Sequence, residues 1–278
     1  GAARLDSGRM RVFLIALALT ALAGPAAADR YVLTYDGLAL GLVPLGEISV
    51  DASVQEDSYR AIATMRSNGL MNLFERTDLR ATAAGGIGPA GVRWRRYNLD
   101  HHYSRKHRVI HMRANARGAP TTEIVPNYRL WGDPPASAEQ IRISRDPLST
   151  VVAMAVDVGQ SQRCAGTYPT FDGRFHYLMQ LTGGETGRYR SGGFSGPVLK
   201  CGLAYVAVSG FEQTDRGRRR VANGQIWFAL DADASFAPPV RISTPLSAGG
   251  AVIRLTSWRR AEITVETTET ETQEAIIP

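Results

Sequence analysis

CAGTYPTFDGRFHYLMQL, Cys164 to Leu181, is the stretch whose reading decides the fold. Asp172-Gly173 separates two β-prone runs, TYPTF and RFHYLMQL, and Asp-Gly favours a two-residue hairpin turn with positive φ. In the second run Phe175, Tyr177, Met179 and Leu181 share one face, and Arg174, His176, Leu178 and Gln180 share the other. This period of two is the signature of a half-buried strand.

Working outward, the same alternation predicts strands over 31–41, 44–54, 58–67, 73–83, 91–99 and 107–114. A second set follows over 200–211, 224–232, 238–244 and 251–258. Short runs at this spacing imply a mainly β protein, a single antiparallel β-barrel or β-spiral domain with one short plugging helix. The helix is RDPLSTVVAMAVDVG, with Asp146 at the N-cap, Pro147 in the first turn and Leu148, Val151, Val152 and Ala155 on one stripe. PNYRLWGDPPAS (126–137) and LTGGETGRYRSGGFSGP (181–197) read as long surface loops.

The N-terminus sets the compartment we expect. Met10-Arg11 precedes an apolar run from Val12 to Ala23 and small residues at Ala26 and Ala28, the layout of an export signal cleaved after Ala28. Residues 1–9 read as upstream sequence, with the start at Met10, and the run is too short to span a bilayer. The expected organisation is residues 1–28 as leader, 29–261 as a β-rich periplasmic domain and 262–278 as an acidic, disordered tail. The mature chain is expected to have no transmembrane span.

Cys164 and Cys201 are the two cysteines, and in an exported chain they are expected to form a disulfide. A structural zinc site would need more Cys or His at close spacing, and a cysteine nucleophile would need a free thiolate. Histidines 101, 102, 107 and 111 crowd into NLDHHYSRKHRVIHMR, yet on a strand His107 and His111 stand about 13 Å apart, and adjacent His101 and His102 point to opposite faces. We therefore expect no metal site and no cofactor. No nucleophile elbow, His-Glu-x-x-His or phosphate loop occurs, so no catalytic residue is expected.

Charge is the remaining signal. The chain is formally +6, and 30 of its 32 basic residues are arginine. Without the leader, which holds Arg4, Arg9, Arg11 and Asp6, and without the five Glu beyond Ala261, the body is near +9. Arg93, Arg95, Arg96, Arg105, Arg108 and Arg113 interleave with Trp94, Tyr97 and Tyr103, a pattern suited to a phosphorylated headgroup or an anionic envelope polymer. Export argues against nucleic acid. A second cluster, Arg216 with Arg218 to Arg220, flanks a turn glycine.

RDPLS (145–149), Cys164 ahead of FDGRFHYLMQL (171–181), KCGLAYVAVSGF (200–211) and PPVRISTPLSAGGAVIRLTSW (238–258) occur in an order that resembles the exported bacterial domain-of-unknown-function family 3108. The resemblance spans about 31–260. It implies an exported, mostly β protein, barrel-like or spiral, and carries no catalytic residues. By fold-level analogy with periplasmic carriers that hold acyl chains in an apolar concavity, the inward candidates are Phe175, Tyr177, Met179, Tyr205 and Trp227. The expectation is a non-enzymatic envelope protein that binds a lipid, another anionic or amphiphilic envelope component, or an envelope protein. Its alternatives are a scaffold with a filled core, or a hydrolase without a recognisable motif.

Overall fold

The computed structural model describes residues 26–69, 76–115, 120–212, 220–231, 235–246 and 249–265. The first half of the chain is a meander of seven strands: β1 (Ala26–Ala39), β2 (Val43–Val54), β3 (Ser58–Ser67), β4 (Thr77–Gly88), β5 (Gly91–Tyr103), β6 (Lys106–Ala114) and β7 (Pro120–Val125). Two helices follow, α1 (Ala138–Ile143) and α2 (Pro147–Ser161). A second meander then runs through β8 (Gly166–Phe171), β9 (His176–Ser191), β10 (Phe194–Ser209), β11 (Arg220–Ala229), β12 (Pro239–Leu246) and β13 (Gly249–Val265). β13 pairs antiparallel with β1 and joins the two meanders into one sheet, whose edges are β7 and β8.

The fold is thus mainly β and antiparallel, and the sheet curls without closing. The segment between the helices links the edge strand β8 to β5 across the opening. Arg145 donates its backbone N–H to Pro169 O at 2.9 Å and accepts from Phe171 N at 2.9 Å, which adds a short parallel bridge to β8. On the other side, Trp94 Nε1 donates to Ser144 O at 2.8 Å and Arg145 Nε donates to Val92 O at 2.9 Å, both on β5. The curl brings the β8–β9 turn against β6, where a Cβ at Gly173 would lie 3.1 Å from Ile110.

α2 begins as expected, with Asp146 at the N-cap accepting from Ser149 N. Its apolar surface is broader than the expected stripe. Val152 and Ala155 are buried, but so are Ala153, Met154, Val156 and Val158, because the sheet wraps the helix on several sides. Room for it comes from small side chains: Ala52 pairs with Ala61, Ala61 with Ala83 and Ala63 with Ala81 across β2, β3 and β4.

Five expectations are corrected. A second helix, α1, is present, opened by a capping box in which Ser137 Oγ accepts from Gln140 N and Ser137 N donates to Gln140 Oε1. The edge strand β7 was not expected, since PTTEIV has no apolar face to read. The 181–197 loop is instead the end of β9 and the start of β10, joined at Gly192-Gly193, whose φ values of 59° and 88° suit a two-residue primed turn. The Asp172-Gly173 turn spans four residues, since Phe171 pairs with His176, and Asp172 Oδ1 caps it by accepting from Arg174 N and Phe175 N. The sheet also reaches from Ala26 to Val265, beyond the expected 29–261 body at both ends. Most of the expected leader (1–25) and tail (266–278) lies outside the described residues, as do Arg216, Arg218 and Arg219.

Candidate functional site: an apolar trough with a cationic mouth

Two hollows lie on the inner face of the sheet beside α2. The first, about 200 Å³, is walled by Leu33, Ile48, Val50, Ala61 and Ile253 from the strands and by Phe236. The second, about 620 Å³, is walled by Leu79, Leu99, Ile110, Phe175 and Tyr177. Ala63, Leu148 and Val151 line both, so the two form adjoining parts of one trough. Leu148 and Val151 are the half-buried members of the stripe read from the sequence. The helix therefore supplies a wall of the trough as well as a core.

Polar groups gather at one mouth of the larger hollow. The Arg108 guanidinium stacks 3.9 Å from the centre of the Tyr128 ring and Arg108 Nε donates to Pro126 O at 3.2 Å. Among the described residues no carboxylate lies within ion-pair distance of Arg108. Arg174 is differently placed: it lies 5.2 Å from the same ring but is paired to Glu212 at 2.6 Å. Burial pushes the Asp172 carboxyl above its usual range, against the opposing pull of the N–H groups of Arg174 and Phe175. Burial also raises the Tyr128 hydroxyl, Asp172 adding to the shift and Arg108 opposing it. The hydroxyls of Tyr97 and Tyr177 are held well above their ordinary value chiefly by burial, so the wall near the mouth is neutral. Arg108 is thus the arginine of this mouth that has no ion-pair partner among the described residues, while Asp172 is held by the backbone N–H groups of Arg174 and Phe175.

The residues read from the sequence scatter across the molecule. Of the six arginines, Arg108 alone lines the trough. Arg93 and Arg95 border a separate cleft of about 710 Å³ with Arg142 and Arg145. Arg96 and Arg113 are exposed and face each other across β5 and β6, and Arg105 lies in the turn between those strands. Of the five apolar candidates, Phe175 and Tyr177 line the trough. Tyr205 packs tilted against Tyr177 at 4.7 Å, and Met179 pairs with Tyr205 across β9 and β10. Trp227 points to the opposite face of β11 from buried Ile226 and Phe228, with Lys200 and Arg241 at 5.0 and 5.2 Å from its ring.

The disulfide is formed: Cys164 and Cys201 are joined with a Cα–Cα distance of 5.3 Å, tying the segment after α2 to β10. His176 is buried and shares a 2.9 Å hydrogen bond with Ser144 Oγ, linking the end of α1 to the start of β9. Sequence reading missed Ala63, Leu148, Val151, Tyr128 and Arg174 as trough residues. The alternating alanines of SYRAIATMRS and LRATAAGG were the available signal, since small residues on one face of neighbouring strands leave space that larger ones would fill.

Fold and site together define a single-sheet antiparallel β protein wrapped around an internal helix, with part of its interior left open. The chain belongs to the family described as Protein of unknown function (DUF3108), whose model matches residues 30–256. Among solved structures it is similar to the beta-barrel-like protein of domain of unknown function DUF1849 from Brucella abortus. That likeness has 9% identity and a TM-score of 0.49, covering 86% of this chain and 100% of that one. No curated protein matches the sequence.

Proposed function

We propose that this protein is a non-catalytic binding protein of the bacterial envelope, exported to the periplasm, whose ligand is an amphiphile with an apolar chain and an anionic head. The chain lies in the trough and the head meets Arg108. The carrying observation is the convergence, at one mouth, of an arginine without a carboxylate partner among the described residues and an apolar hollow of about 620 Å³. That volume falls in the range of ligand sites, about 300–1,000 Å³. An anion held by a guanidinium in a partly dry setting gains a charge-assisted hydrogen bond, while the buried chain contributes roughly 0.8 kcal/mol per CH₂. The two signals read separately from the sequence, basic and apolar, meet here through Arg108, Phe175 and Tyr177.

Titration with a dansyl-labelled fatty acid tests this reading. Saturable binding at one site per chain is expected, and Ala63→Phe, which fills the shared wall of both hollows, should abolish it while the melting temperature stays within a few degrees. Absence of saturable binding, or binding unchanged by Ala63→Phe, would overturn it.

A further inference from the structure

We infer that Asp100, His102 and His107 form a surface site for one borderline divalent cation of the Zn²⁺ type. The reading of the sequence compared His107 with His111 along one strand; the β5–β6 register sets His107 directly opposite His102. Asp100 lies two residues before His102 on β5 and shares its face. His107 Nε2 and His102 Nε2 lie 2.8 and 3.1 Å from the same oxygen, Asp100 Oδ1. The two imidazoles stack in nearly parallel planes, 3.9 Å apart with an interplanar angle of 7°, and both present Nε2 to the same Asp100 oxygen. The three candidate ligand atoms all lie within 4.8 Å of one another.

Two imidazole nitrogens and a carboxylate oxygen are the donor set of zinc-class ions, which hold such ligands at about 2.0–2.2 Å. The regular hairpin fixes the three Cα positions, and rotation of the exposed imidazoles out of their stack turns both Nε2 atoms from Oδ1 onto a shared ion. The site is open to solvent, each side chain being about half exposed. A fourth coordination position is therefore left to water or to a group on a partner. Other histidines nearby are engaged differently: His111 Nδ1 is hydrogen-bonded to Asn98 Oδ1 at 2.7 Å, and His101 packs against the Tyr103 ring at 4.6 Å. Arg80, which faces Asp100 from β4, is the competing cation on this face.

The test is calorimetric titration of tag-free, full-chain protein with Zn²⁺ alone. One ion per chain is expected, with affinity lowered at least roughly tenfold by His102→Ala or His107→Ala and unchanged by His111→Ala. As a second readout, substoichiometric Cu²⁺ should broaden the imidazole NMR signals of His102 and His107 and spare buried His176. No saturable Zn²⁺ binding, or binding that persists in the His102→Ala/His107→Ala double variant, would overturn the assignment.

Discussion

The guanidinium of Arg108 lies over Tyr128, 3.9 Å from the ring centre, and this contact joins β6 to the segment after β7 at the mouth of the trough. The stack holds a cation in place without neutralising it. An arginine pinned by a carboxylate would offer less to a ligand, as the Arg174–Glu212 pair shows beside it.

Arg108→Ala is therefore expected to weaken binding of the dansyl fatty acid roughly ten- to hundredfold, since a hydrogen bond to a charged group contributes roughly 1.5–3 kcal/mol. The corresponding fatty alcohol should lose much less. Fluorescence titration of both probes checks this, and equal losses would show that Arg108 supports the fold of the mouth instead of reading the head.

Asp146 should give stability a pH dependence of its own. It is fully buried at the N-cap of α2, where desolvation lifts its carboxyl to about 6 against the Ser149 hydrogen bonds that favour the charged form. A raised folded value means that the group favours the folded chain below its ordinary 3.8, and that this stability is lost as pH rises through about 6. By pH 7 the loss is roughly 3 kcal/mol at about 1.36 kcal/mol per pH unit. Asn keeps the cap and cannot ionise. In urea unfolding from pH 4 to 7, the stability of wild type relative to Asp146→Asn should fall with pH; parallel profiles would contradict the buried charge.

The disulfide closes a loop of 36 intervening residues and should add up to roughly 4 kcal/mol by restricting the unfolded chain. Reduction, or Cys201→Ser, is expected to lower the melting temperature by roughly 5–15 °C without abolishing ligand binding. Calorimetry with and without reductant checks this. Equal melting would mean that the covalent link adds nothing.

Gly159→Ala should destabilise the protein even though alanine favours helices by about 1 kcal/mol. A Cβ at this point of α2 would lie 2.5 Å from Ser235 O and 2.7 Å from Phe236 N, both backbone atoms that cannot swing aside. The expected net cost is about 1–3 kcal/mol, read from urea midpoints. A more stable variant would show that the 235–238 segment does not pack on the helix as described.

How far the sequence could be read follows from what each element depends on. β3 was legible to the residue and β2 nearly so, because one face is apolar and the turns between strands are short. α2 was legible from Asp146 and Pro147, whose chemistry is local. β7 was not, because an edge strand of Thr and Glu has no hydrophobic period. Gly-rich composition likewise hid the long β9–β10 hairpin, whose turn needs Gly192 and Gly193 for positive φ. The trough was only half legible. Arg108 and Tyr177 could each be named, but their shared hollow exists because the sheet curls until the β8–β9 turn meets β6, a relation between residues far apart in the chain.

The most direct test of the central claim is native mass spectrometry of the tag-free protein after incubation with vesicles of anionic phospholipid, followed by lipid extraction. One retained amphiphile per chain is expected in the wild type and none in Ala63→Phe. A wild-type chain that leaves the vesicles with its trough empty would contradict it.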